Sequence, residues 1–142
     1  MFQTIKIVDG EASATFKGLN ASNYIVIAKY SGDKYYISGQ ANTTANVSKA
    51  QSNITLIIGE IIENNPVNIT AIVTDGCTGY VNFEIPGLYT PRDKEIVNKS
   101  AIWIIAPLTS GKYKIIPIYK GDNNYLSSNV TKIISYNQTE TI

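Results

Sequence analysis

Apolar and polar residues alternate with a period of two along most of the chain after residue 50. In the run 67–73 every second residue is apolar, and the run 81–85 repeats this pattern. A period of two places alternate side chains on opposite faces of a β-strand, whereas no segment shows the 3.6-residue period of a helix. We therefore predict an all-β fold with strands at 54–58, 67–73, 81–85, 101–105, 113–119 and 130–136.

Three segments depart from simple alternation. The stretch 88–94 is polar and contains Pro91, so we predict a loop there, with room for a short edge strand. The run 101–105 is apolar throughout and predicts a buried strand around Trp103, preceded by a turn at Asn98 and Lys99. Pro117 lacks an amide hydrogen, so its strand must carry an edge position, a bulge or an unpaired donor there.

The chain repeats itself at an offset of 89 residues. Residues 11–48 align with 100–137 without a gap and share nine identities. A period of this size suits one β-sandwich module of about 100 residues. We predict a complete module at 50–139, a partial module of about three strands at 1–49 that opens inside its fold, a linker around 48–52 and a tail at 140–142.

Composition narrows the chemistry. The chain has no histidine, one cysteine and a net charge of +1, and Arg92 is its only arginine. It therefore lacks the commonest general base and metal ligand, and it lacks the basic excess of nucleic-acid binders. We predict a protein that is not an enzyme, has no cofactor or metal, and does not bind nucleic acid. No run suits a signal peptide or a membrane span, so we expect no membrane insertion by this segment.

Two motifs recur in both copies with the same spacing. The first is an L-x-x-(G)-x-Y entry to a strand, and the second is Y-x-G-D-x-x-Y-x-S. A tyrosine just inside the strand can return its hydroxyl to the backbone of the preceding crossover, and Gly-Asp suits a turn in which the carboxylate caps nearby amides. Calcium binding would need more oxygen ligands than one Asp per loop supplies. The motif residues are Leu19, Tyr24, Tyr30, Gly32, Asp33 and Tyr36, and then Leu108, Gly111, Tyr113, Tyr119, Gly121, Asp122 and Tyr125.

These motifs resemble the bacterial-type Ig-like repeats of large surface proteins. The abundance of Ile, Asn, Lys and Tyr is most similar to the adhesin-like surface proteins of methanogenic archaea. The resemblance implies an Ig-like antiparallel β-sandwich of about seven strands, preceded by a partial second Ig-like module. The first copy departs from the pattern at Ser22, where the motif prefers Gly.

Asn-x-Ser/Thr sequons are in excess. Eight occur, whereas the composition alone gives about 2.4. They indicate N-glycosylation of an exported protein, although Asn and Thr also crowd the outward faces of strands by chance. Asn68 lies mid-strand and could be modified only if its face is open. The sites are Asn20, Asn42, Asn46, Asn53, Asn68, Asn98, Asn129 and Asn137.

Other candidate residues are few. Cys77 lies in a Gly-flanked turn without a neighbouring base, so we interpret it as incidental, with a tether to another chain as the alternative. Tyr89 and Tyr125 are candidates for a binding surface, and Trp103 is a candidate core residue rather than a sugar-stacking platform.

These observations favour a non-catalytic stalk module of an extracellular, cell-surface adhesin-like protein, acting as a spacer in cell adhesion. Its partners would be neighbouring Ig-like repeats of a longer exported chain, with a glycan or protein of another cell as a further candidate. Two alternatives stay open. One is a module that binds glycan or protein directly, and the other is an accessory domain of an extracellular enzyme.

Overall fold

The computed structural model describes residues 1–138, so the predicted tail at 140–142 lies outside it. The chain divides into two compact units, unit 1 from Met1 to Ser48 and unit 2 from Lys49 onward. Every regular element in the described residues is a β-strand, and all pairings between the strands are antiparallel. The all-β prediction is confirmed.

Unit 1 contains one long hairpin. Its strands are β1 (Ser22–Tyr30) and β2 (Gly39–Val47), which pair along their whole length. Ahead of them, Val8 and Glu11 close a tight two-residue turn in which Asp9 and Gly10 have positive φ. Most side chains of this unit are exposed, including Val26 of β1 at 42%.

Unit 2 is a two-layer β-sandwich. One sheet has the order β3-β4-β7, and the other has the order β10-β8-β5-β6, with β9 also pairing with β8. The strands are β3 (Ile54–Ile58), β4 (Val67–Val73), β5 (Tyr80–Ile85), β6 (Tyr89–Glu95), β7 (Ser100–Ile105), β8 (Gly111–Tyr119), β9 (Ser128–Asn129) and β10 (Lys132–Tyr136).

Both sheets contribute their inward-facing side chains to one core. The alternation seen in the sequence is the alternation of burial: in β4 every second residue from Val67 is buried, and β5 follows the same rule. Trp103 is 4% exposed and its ring lies 5.9 Å from that of Phe83, centroid to centroid. This burial confirms the prediction that Trp103 is a core residue. Aromatic side chains of this size contribute a large share of the free energy of burial.

Three sequence predictions need correction. The stretch 88–94 is mostly the edge strand β6, Tyr89–Glu95, rather than a loop with a short edge strand. The run 101–105 is not buried throughout, because Ile102 and Ile104 face outward at 53% and 61% exposure. The predicted linker is not free chain, since Ala50 bonds to Asn124 and Leu126 and Ser52 is buried.

The pairing of β8 on its β10 side is interrupted near Pro117. The pairing of β8 with β10 ends at Ile115, and the pairing with β9 begins at Ile118, in the same register on both sides. Proline fixes φ near −65°, whereas antiparallel strands prefer about −140°, so the ladder is disturbed at this point. In unit 1 the equivalent residue at the 89-residue offset is Ala28, and β1 and β2 pair without interruption.

Candidate functional site

The Gly-Asp turn has the same geometry in both units. In unit 2, Asp122 Oδ1 accepts the amides of Asn124 and Tyr125 at 2.7 and 2.8 Å. In unit 1, Asp33 Oδ1 accepts the equivalent amides of Tyr35 and Tyr36, both at 2.8 Å. The preceding glycines have φ of 89° and 87°, a region that favours glycine. The aspartates therefore cap nearby amides, as the sequence predicts.

The second oxygen of Asp122 crosses to another loop. Oδ2 accepts the backbone amide of Thr78 at 2.9 Å and the hydroxyl of the same residue at 2.8 Å. Partial burial alone would raise the pKa of Asp122, but the hydrogen bonds from Asn124, Thr78 and Tyr125 outweigh it and lower the pKa to about 2. The carboxylate is therefore charged at neutral pH and fastens two loops at one end of the sandwich.

Cys77 and Tyr119 lie beneath this junction. Tyr119 is fully buried, and its hydroxyl donates to the carbonyl of Thr78 at 3.2 Å. Burial raises the pKa of the Cys77 thiol, and the charge of Asp122 raises it further against a hydrogen bond with Tyr119. A buried thiol with a raised pKa is a poor nucleophile, so this arrangement suits packing rather than catalysis.

Tyr125 closes the same end of unit 2. Its hydroxyl donates to the carbonyl of Asp75 at 3.1 Å. A Cβ added to Gly76 would come within 2.7 Å of that hydroxyl oxygen, so the ring lies directly on the turn. The sequence motif marked Tyr125 but gave no sign of Asp75 or Gly76 as its neighbours, because both lie in a different loop.

The tyrosine at the strand entry makes the same hydroxyl hydrogen bond in the two units. The hydroxyl of Tyr113 donates to the carbonyl of Thr109 at 2.6 Å, and that of Tyr24 donates to the carbonyl of Asn20 at 2.6 Å. Leu108, at the start of the motif, is 5% exposed, whereas Leu19 at the equivalent position is 37% exposed. The local bond is the same in both units, but the burial differs.

The two candidate binding residues serve packing. Tyr89 is half-buried and meets Trp103 edge to face, with ring centroids 5.1 Å apart. Tyr125 is half-buried against the turn described above. Neither ring projects freely as a recognition surface would require. The most exposed tyrosine rings are those of Tyr35 and Tyr36 in unit 1, at 80% and 71%, followed by Tyr80 in unit 2 at 58%.

All eight sequon asparagines are exposed, including Asn68, the second residue of β4. Asn68 therefore lies on an open face, which is the condition expected from sequence for its modification. The third residue of the last sequon, Thr139, lies outside the described residues.

The described part of the chain shows neither a metal-binding cluster nor a membrane-spanning helix. Among residues 1–138 no group of three His, Cys, Asp or Glu side chains is placed to hold a metal ion. The same residues include no helix with the length and apolar character needed to cross a bilayer.

No protein-family model matches the chain, and no curated protein matches it in sequence.

Proposed function

We propose that this chain is a non-catalytic spacer segment of a cell-surface, adhesin-like protein, in which Ig-like β-sandwich modules follow one another. One observation carries the proposal: the same local structures recur at a fixed offset of 89 residues. One is the two-residue turn that follows Val8 in unit 1 and Val97 in unit 2. The others are the hydrogen bond from the tyrosine hydroxyl to the carbonyl four residues before it, and the turn whose amides an aspartate caps. Repetition of whole local conformations, beyond shared residues, is typical of arrays of one module.

A spacer acts through length and stiffness rather than through a reactive site. The cross-loop bonds of Asp122 and the hydroxyl bond of Tyr125 restrain one end of unit 2. Restrained ends reduce the bending freedom of each module, which is what an extended stalk needs. The partners under this proposal are neighbouring repeats of the same parent chain, outside the cell.

The exposed sequons also support an extracellular location. Attached glycans would solvate the surface of a chain in which only 16% of the residues are charged. Glycan attachment belongs to the secretory route of surface proteins, so this feature and the repeat point in the same direction.

Direct ligand binding through tyrosines receives less support. The exposure of Tyr36 has a structural reason: its equivalent, Tyr125, is covered by the turn at Asp75 and Gly76, and residues 1–48 include no counterpart of that turn. Tyr36 is thus a packing residue without its usual neighbour, and its exposure is no sign of a recognition surface.

The test is binding of the full chain to a glycan array and to whole cells. We expect no saturable binding from folded protein, with the fold of unit 2 checked by the fluorescence of Trp103 and that of unit 1 by amide exchange in 39–47. A double variant, Tyr35→Ser with Tyr36→Ser, is the matched control for the exposed rings. Saturable binding that disappears in this variant, while the fold persists, would replace the spacer proposal with a binding function.

A further inference from the structure

The outer face of the β3-β4-β7 sheet carries no charge. Four of its eight outward residues are isoleucines, and three of these are 48% to 61% exposed. The outer face of the other sheet differs, because it presents Lys112, Lys114, Glu84 and Asp93. The eight residues of the uncharged face are Thr55, Ile57, Asn68, Thr70, Ile72, Ser100, Ile102 and Ile104.

Asn68 lies at one end of this uncharged face, as the second residue of β4. It lies on the middle strand, opposite Ile104 of β7. On its other side the neighbour is Gly59, whose amide donates to the Asn68 carbonyl at 2.8 Å. A Cβ on Gly59 would approach the Asn68 Cβ to 3.4 Å, so the glycine lies close beside the asparagine.

Asn68 and Thr70 form a sequon on one face. Residues two apart in a strand point the same way, so the amide and the hydroxyl both lie on the uncharged face. We propose that Asn68 carries an N-linked glycan, and that its first sugar lies over Ile104, the exposed neighbour of Asn68 across the sheet. The proposal rests on the extracellular location in the proposed function. It accounts for an aliphatic face of this size that would otherwise be open to water.

The chemistry needs an activated sugar attached through C1 to a phosphate. Asn68 Nδ2 forms a bond to C1 and loses one proton. The bond between C1 and the phosphate oxygen breaks, and the phosphate leaves with its electron pair. Because β4 is hydrogen-bonded on both sides, the transferase must reach Asn68 before the sheet closes. Asn98 lies in an exposed two-residue turn and remains open to modification after folding.

The first experiment is mass spectrometry of the full chain isolated from the cells that make it. The tryptic peptide 50–92 carries Asn53 and Asn68, and electron-transfer fragmentation separates the two sites. We expect a sugar mass on Asn68. The location of the chain is measured on the same cells by access of an external protease.

The outcomes separate the two proposals. A chain that is digested on intact cells but has a bare Asn68 overturns the glycan proposal and leaves the spacer function standing. A chain that is protected inside the cell overturns the proposed function, and the glycan proposal with it.

A second measurement tests the covering role. Asn68→Gln should raise the fluorescence of a hydrophobic dye roughly twofold in otherwise glycosylated protein. Asn129→Gln, on β9 of the other sheet, is the matched control and should leave the signal unchanged. Adding Ile104→Lys to the Asn68→Gln variant should remove the gain. Equal dye signals from the Asn68→Gln and Asn129→Gln chains would overturn the proposal, as would association of the unmodified chain through this face in the native preparation.

Discussion

Asp122 and Thr78 lie 44 residues apart in sequence, yet a single carboxylate oxygen accepts both the amide and the hydroxyl of the threonine. The contact joins the loop between β4 and β5 to the turn that follows β8. Hydrogen bonds to a charged group contribute more to stability than neutral ones, so this contact restrains the end of the sandwich strongly for its size.

The first prediction concerns pH. In the folded chain the pKa of Asp122 is lowered to about 2, from the ordinary aspartate value of 3.8. A lowered folded pKa stabilises the fold above the unfolded pKa, and this stabilisation is lost as the pH falls from about 4 towards 2. We expect a loss of about 1 to 2 kcal/mol in the free energy of unfolding, because partial exposure screens the carboxylate.

Urea unfolding followed by the fluorescence of Trp103 measures this effect. Trp103 is the only tryptophan and is buried in unit 2, so it reports on that unit. Asp122→Asn removes the titration and is the control. If the natural chain and this variant lose the same stability between pH 7 and pH 2.5, the carboxylate does not carry the effect.

The second prediction concerns the contact of Gly76 with Tyr125. Gly76→Ala places a Cβ at 2.7 Å from the tyrosine hydroxyl oxygen, at a φ of 95°. We expect a loss of about 2 to 4 kcal/mol in stability, part from backbone strain and part from displacement of the ring.

Gly79 separates these two causes. Its φ is 102°, but a Cβ there meets nothing within 4 Å, so Gly79→Ala should cost only the strain of about 1 to 2 kcal/mol. Tyr125→Phe combined with Gly76→Ala should bring the loss close to that of Gly79→Ala. Thermal unfolding of the variants measures these losses of stability. Equal losses for the two glycine variants would show that displacing the Tyr125 ring has no measurable cost.

Sequence alone predicted the strands that have one buried and one open face. The period of two gave β3 and β4 with their observed bounds and identified the inward side of β5 and β8. It gave 88–94 as a loop with room for a short edge strand and so understated β6, because an edge strand with both faces largely exposed has no apolar alternation to detect. It also predicted that the whole run 101–105 is buried, because the sequence does not distinguish an isoleucine on an exposed sheet face from one in the core.

The hydrogen bonds within each turn of the candidate site could also be predicted from sequence, whereas the contacts between loops could not. The capping role of Asp33 and Asp122 follows from Gly-Asp and its spacing. The bond of Asp122 to Thr78 joins loops that only the tertiary fold brings together. For the same reason Tyr89 and Tyr125 suggested a binding surface from sequence, although each packs against a distant residue.

The third prediction concerns the turn before β7. Asn98 and Lys99 both have positive φ, and the amides and carbonyls of Val97 and Ser100 bond across them. This two-residue turn prefers Gly at its second position, where lysine is strained. Lys99→Gly should therefore raise the free energy of unfolding of unit 2 by about 0.5 to 1 kcal/mol. Asn98→Gly is the companion variant and should gain less, since Asn tolerates this conformation. A loss of stability in Lys99→Gly would contradict this account.

The fourth prediction concerns Pro117 and its equivalent, Ala28. Ala28→Pro should interrupt the pairing of β1 with β2 near Ala41, as proline does in unit 2. Ala28→Val is the control, because valine adopts extended backbone readily. Cross-strand NMR contacts and amide exchange in 39–47 give the measurement. An uninterrupted ladder in the Ala28→Pro chain would assign the break in unit 2 to another residue.

The fifth prediction asks what unit 1 needs in order to bury its face. At the 89-residue offset, 1–48 corresponds to 90–137, so β3, β4 and β5 have no counterparts within unit 1. A chain with a copy of residues 50–89 joined ahead of Met1 supplies them. Under the proposed repeat, this addition should convert unit 1 into a cooperative sandwich.

Leu19 and Leu108 provide the measurement for this fifth prediction. Leu108 is 5% exposed, so Leu108→Ala should cost about 2 to 4 kcal/mol in unit 2 of either chain. Leu19 is 37% exposed, so Leu19→Ala should cost under about 1 kcal/mol in the present chain. In the extended chain Leu19→Ala should rise to the cost of Leu108→Ala, because its side chain would then lie between two sheets. Hydrogen exchange assigns each unfolding event to its unit. If Leu19→Ala stays inexpensive in a folded extended chain, the two units are not copies of one module, and the shared turns arise from local sequence alone.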